Sequence, residues 1–161
     1  MGAHRTDAGV DWPAVLDELA AAGTDRLGAS DLTRLADAQF WCDQLDDSIA
    51  TRRAAYARHV EADDDSGAAM AAWRIFYEHF LVGEGAPAAG WLERCRTHAA
   101  ASADPIVLGW LRLADGDVAA RSGSLDEALD AATDVVATGR RDRVADLTAM
   151  GLQLELSLIH I

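Results

Sequence analysis

The chain has 161 residues, half of them hydrophobic, which is enough to bury a real core and excludes disorder throughout. Its 27 Asp and Glu outweigh 14 basic residues, all arginine, for a formal net charge of −13. Such a surface repels phosphate backbones, so no direct nucleic-acid binding is expected of this segment, and the same charge keeps a protein soluble.

No apolar run approaches the roughly 20 residues of a membrane span, and the N-terminus lacks the apolar stretch of a signal peptide. The expected location is cytoplasmic, with no membrane partner. Lysine and asparagine are both absent, the usage of a GC-rich genome. Cys42 and Cys95 form no C-x-x-C pair and have no paired histidines nearby, so the expectation is two free thiols rather than zinc or a disulfide.

Residues 1–10 have no helical period and are expected to form a flexible N-terminus. From Asp11 the pattern is helix after helix. "DWPAVLDELAAAG" opens with a capping-type Asp11 and an early Pro13 and closes on Gly23. "SDLTRLADAQFWCDQ" starts at Ser30 and carries Leu32, Leu35, Ala36 and Phe40 at helical spacing. "LDDSIATRRAAYARHVEADDD" aligns Leu45, Ile49, Tyr56 and Val60 on one stripe. "GAAMAAWRIFYEHFLVG" is apolar nearly all round, which predicts burial on two sides. Then follow "APAAGWLERCRTHAAAS", "DPIVLGWLRLADGDVAARSG", "SLDEALDAATDVVATG" and "RRDRVADLTAMGLQLE". Asp104-Pro105 is a helix start, and Ser124 with Glu127 reads as a capping box. No stretch alternates with period two, so no strand is predicted and the fold class is all-α.

The helical units recur. A small residue stands at Ser48, Ala88 and Ala128, forty residues apart, in three similar windows. A fixed interval of helix-turn-helix units marks a solenoid. "GSLDEALDAA" (123–132) resembles the turn and second-helix start of a tetratricopeptide repeat, where glycine makes the turn and a small residue lets two helices cross closely. The resemblance implies a tetratricopeptide-like α-solenoid of antiparallel helix hairpins over residues 11–155, with a period of about 40 residues against the usual ~34. Departures are Asp43 at a turn-glycine position, Ser48 at an alanine position, and Arg112 and Asp115 on a helix that is ordinarily apolar there. A second resemblance covers the same span. "LTRLADAQFWCDQLDDSIATRRAAYARHVEADD" followed by "FLVGEGAPAAGWLERCR" is similar to the helical-repeat region of bacterial transcriptional regulators that carry a C-terminal LuxR-type helix-turn-helix. A related array occurs in nucleotide cyclases.

Catalytic motifs are lacking. His4, His59, His79, His98 and His160 are scattered, none in H-E-x-x-H, and a phosphate-binding G-x-x-x-x-G-K-[ST] cannot exist without lysine. "EADDDSG" (61–67) fails as a calcium loop, because Gly67 is one place late and Ala72 stands where the bidentate Glu belongs. It reads as a solvated acidic helix end. Met1-Gly2 with Thr6 matches a myristoylation pattern only formally in a chain of bacterial composition. No catalytic residue, metal site or cofactor is expected.

The aromatic residues carry the candidate site. In the forty-residue register Phe40 and Trp41 correspond to Phe80 and Leu81, with Trp73 and Tyr77 earlier on the same helix and Trp110 on the next unit. These rings either fill the spaces between stacked helices or line a groove for a peptide or a neighbouring domain. Arg74, Arg112 and Arg121 would supply polar contacts there. Arg52 and Arg53 are expected on the outer face, paired with Asp46 and Asp47.

The final residues "LSLIHI" (156–161) break composition, holding two of the chain's five isoleucines. They back-translate to a sequence resembling the transposase end of sequencing adapters. The expectation is a non-native tail after Glu155, with the native frame continuing beyond it. The resemblances together imply a non-catalytic sensory or protein-interaction region of a LuxR-type regulator, cut before its DNA-binding domain, with a protein, a peptide or an attached effector domain as partner. The alternatives are the regulatory array of a nucleotide cyclase and a free-standing tetratricopeptide adaptor.

Overall fold

The computed structural model describes residues 9–159, and over these the chain is eight α-helices and one short 3-10 turn, with no strand. The helices are α1 (Trp12–Ala22), α2 (Ala29–Trp41), α3 (Leu45–Glu61), α4 (Asp65–Leu81), α5 (Gly85–Ser102), α6 (Pro105–Ser122), α7 (Leu125–Asp142) and α8 (Ala145–Ile159). The 3-10 turn Thr24–Arg26 links α1 to α2. Formal myristoylation at Gly2, the N-terminal residues 1–8, His4 and His160 all lie outside the described residues.

Local signals set most boundaries. The Asp11 carboxylate accepts the Ala14 N–H at 3.2 Å and Pro13 sits in the first turn of α1. Asp104 caps α6 through the Ile106 N–H at 2.8 Å, ahead of Pro105. Ser124 is the N-cap of α7, but its side chain makes no capping bond, so the predicted box is absent there. The α7–α8 boundary also differs from the sequence expectation. Gly139 does not end α7; the helix runs to Asp142 and turns at Arg143, which has φ 59°. Gly139 instead serves close approach, since a Cβ there would lie 2.7 Å from the Thr148 backbone nitrogen of α8.

A regular turn joins the long helices. Starts fall at Leu45, Asp65, Gly85, Pro105, Leu125 and Ala145, each twenty residues after the last. Two residues before each start stands one with positive φ: Asp43, Asp63, Gly83, Ala103, Gly123 and Arg143. At five of these turns the next N–H bonds back five residues, from Gln44 to Gln39, Asp64 to His59, Glu84 to His79, Ser124 to Ala119 and Val144 to Gly139, at 2.8–3.0 Å. This is the Schellman closure, which satisfies helix-end carbonyls that otherwise lack partners.

The helices form two compact units, 9–102 and 103–159. In the first, α1 to α5 pack each against the next. Leu19, Leu27, Leu32, Leu35 and Ala55 make one cluster. The Ala-rich α4 lies against both α3 and α5 and buries Ala68, Ala72, Ile75 and Phe76. In the second unit α6, α7 and α8 pack mutually around Leu113, Val135, Leu147 and Leu154. Val144, Leu147, Gly151 and Leu154 share one stripe and are all buried. The small residues Ser48, Ala88 and Ala128 are each buried at the fourth position of their helix.

Candidate functional site

The predicted aromatic and arginine set divides between the units. Phe40, Trp41, Trp73, Arg74, Tyr77 and Phe80 belong to 9–102, and Trp110 and Arg121 to 103–159. Trp73 and Trp110 are buried at 2% and 4% exposure, while Trp41 is 51% exposed. Within the first unit Trp73 stacks on Tyr77 at 5.4 Å with Arg74 over the indole, and Phe40 meets Trp41 edge-on. Phe80 tilts against the buried Phe76. In the second unit Arg112 pairs with Asp134 at 3.1 Å. Cys95 is buried and Cys42 half-buried, neither in a disulfide. Among the described residues no three or more His, Cys, Asp or Glu side chains are placed so that they could hold a metal ion.

Arg52 corrects the sequence expectation. It does not lie on the outer face beside Asp46 and Asp47. It is 2% exposed, with Nε 2.5 Å from Glu78 Oε1 and Nη2 2.8 Å from Asp37 Oδ1. The reason is the rotation of α3, which turns Ser48, Ile49, Thr51, Arg52 and Ala55 inward where it packs on α2 and α4. Ser48 Oγ, one helical turn before Arg52, lies 2.9 Å from the Ala36 carbonyl and 3.0 Å from Glu78 Oε1. Glu78 is 1% exposed, and its second oxygen has no hydrogen-bond partner. One buried guanidinium thus ties α2, α3 and α4 together.

Histidines clasp two turns in the same register. His59 Nδ1 lies 2.8 Å from Asp64, and His79 Nδ1 lies 2.6 Å from Glu84, twenty residues on. Asp64 also caps α4, and the Gly67 N–H, foremost, with His59 holds its carboxyl below the usual carboxylate range.

A third histidine organises the face where side chains of α3 and α5 meet. His98 Nδ1 is 2.7 Å from Asp65 Oδ1, and its Nε2 is 2.9 Å from the Tyr56 hydroxyl. In the tautomer that carries its hydrogen on Nδ1, toward the Asp65 carboxylate, Nε2 is left to accept the Tyr56 O–H. Tyr56 in turn meets Trp91 edge-on at 5.2 Å. Arg53 and Arg94 both lie over Trp91, 5.9 Å and 4.8 Å from the ring centre. The arrangement presents a fixed phenol and indole flanked by two cations. Sequence reasoning passed over Trp91. Its signal was local, because Trp91 and Arg94 stand three apart on one helix face, but Tyr56 and Arg53 reach it only across helices.

The second unit holds one perturbed carboxylate. Burial pushes Asp117 up to about 6, against the nearby positive charge of Arg121, which lowers it. No helix among the described residues is long and apolar enough to cross a membrane. Compared with protein-family models, with curated proteins and with solved structures, the chain has no significant match.

Proposed function

We propose that this chain is the non-catalytic, tetratricopeptide-like repeat region of a LuxR-type transcriptional regulator, acting in the cytoplasm by binding a protein or peptide partner. The observation that supports the repeat-array part of this reading is the register. Helix starts, positive-φ turn residues and the His59 and His79 clasps recur at one fixed interval. Such regularity is the economy of a repeat array, in which each unit buries its apolar face on its neighbours. The forty-residue hairpin is then two twenty-residue helix units, and Ser48, Ala88 and Ala128 mark the same helix of successive hairpins. In the regulator, partner binding to the array would bias an attached DNA-binding domain, while this segment, at −13, leaves nucleic acid alone.

The test is the genomic reading frame across codon 156. The proposal expects it to continue into a helix-turn-helix with a basic recognition helix. A cyclase domain encoded in frame upstream of Met1 would move the chain to the nucleotide-cyclase class, and an immediate stop after codon 155 would make it a free-standing adaptor.

A further inference from the structure

We propose that the Arg53–Trp91–Arg94 face of α3 and α5 docks an acidic peptide segment of a partner protein. The inference rests on the reading of the chain as an interaction module and names the partner's chemistry.

Both guanidiniums are exposed, and neither is paired with a carboxylate within the described residues. Arg34, Arg58, Arg96 and Arg141 each pair with a carboxylate three residues or fewer away, whereas Arg26, Arg74, Arg140 and Arg143 show no such pair either among the described residues; Arg53 and Arg94 are set apart by lying over one shared ring. A guanidinium over an indole uses its flat face and keeps its N–H edge, the edge that forks a carboxylate. Arg94 spends one N–H on the Gly90 carbonyl at 3.0 Å, which fixes its side chain along α5.

The ring that sets the spacing of the two cations is itself anchored. Trp91 rests on Tyr56, Tyr56 on His98, and His98 on Asp65 at the start of α4. Three helices therefore hold the face before any partner arrives, which lowers the ordering cost of binding. Charge complementarity selects the occupant. A long polyanion such as nucleic acid meets the whole −13 field. A short acidic stretch meets chiefly the local pair of forks, since the nearby Asp65 and Glu93 carboxylates are already engaged by His98 and Arg96, and an apolar side chain between its carboxylates covers the indole, a contact that a simple inorganic anion does not make.

The experiment is fluorescence anisotropy of a short fluorescein-labelled peptide of alternating Glu and Phe, titrated with the whole chain. Saturable binding that weakens with added NaCl is expected. The double variant Arg53→Ala/Arg94→Ala should lose roughly tenfold or more in affinity, while Arg26→Ala keeps the parent value. Arg53→Gln/Arg94→Gln, with its helical circular dichroism unchanged, should lose as much, which separates lost charge from a lost fold. Equal affinity of parent and double variants would overturn the proposal. So would the absence of saturable binding at low salt, or displacement by inorganic phosphate as effective as by unlabelled peptide. A reading frame without a helix-turn-helix would remove the regulator assignment and leave this result standing, so the two failures are distinguishable.

Discussion

Removing Arg52 strands the Glu78 carboxylate where water does not reach, whereas removing Glu78 leaves Arg52 its Asp37 partner. Arg52→Met is therefore expected to cost about 3–5 kcal/mol in urea unfolding. Arg52→Met/Glu78→Leu should cost clearly less than the two single changes added together, because the double variant leaves no fully buried charge, only the part-exposed Asp37 without its arginine. Strict additivity would deny the coupling. At Asp117 the sign runs the other way from an ion-paired carboxylate. Burial raises its pKa from 3.8 to about 6, so the folded chain holds the proton more tightly than the unfolded one. Stability contributed by this group is present below about pH 4 and lost as pH rises through 6. Asp117→Asn should raise stability at pH 7.5 by about 1–3 kcal/mol, with the gain fading by pH 4. Parallel melts of the variant and its parent at the two pH values check it, and an equal gain at both would sink the titration argument.

At the scale of the element, the turns carry both economy and cost. Asp43 and Asp63 tolerate positive φ through their short polar side chains, whereas Ala103 and Arg143 accept it against the Cβ penalty. Arg143→Gly should therefore stabilise the chain by about 0.5–1 kcal/mol, net of the entropy that glycine adds to the unfolded state. Gly139 has the opposite logic. Alanine there would favour the helix by roughly 1 kcal/mol, but its Cβ would press on the Thr148 backbone, which cannot swing aside. Gly139→Ala is expected to destabilise by about 1–3 kcal/mol in thermal melts. A gain instead would show that α7 and α8 can separate freely. At these positions a local signal and a tertiary role compete. Glycine is a fair stop signal, and it marked Gly23 and Gly123 correctly. At Gly139 the same residue served a crossing of two helices, which no local pattern distinguishes from a stop.

Across the whole molecule, the sequence by itself determined that the chain is helical and where nearly every helix lies. Capping carboxylates at Asp11 and Asp104, prolines one or two places on, and apolar stripes such as Val144–Leu147–Leu154 act over one or two turns of chain. Composition also decided the charge of −13. The tertiary structure alone decided which polar side chains go inside and which rings share a face. Arg52 meets Glu78 across 26 residues and Tyr56 meets His98 across 42. Both pairings depend on how far each helix is rotated about its own axis when it packs. Arg52 and Arg53 are neighbours in sequence, yet a rotation of ~100° per residue sends one into the ion pair and the other over Trp91. That rotation is the sum of all the packing contacts along α3, so no stretch of sequence around the two arginines encodes it.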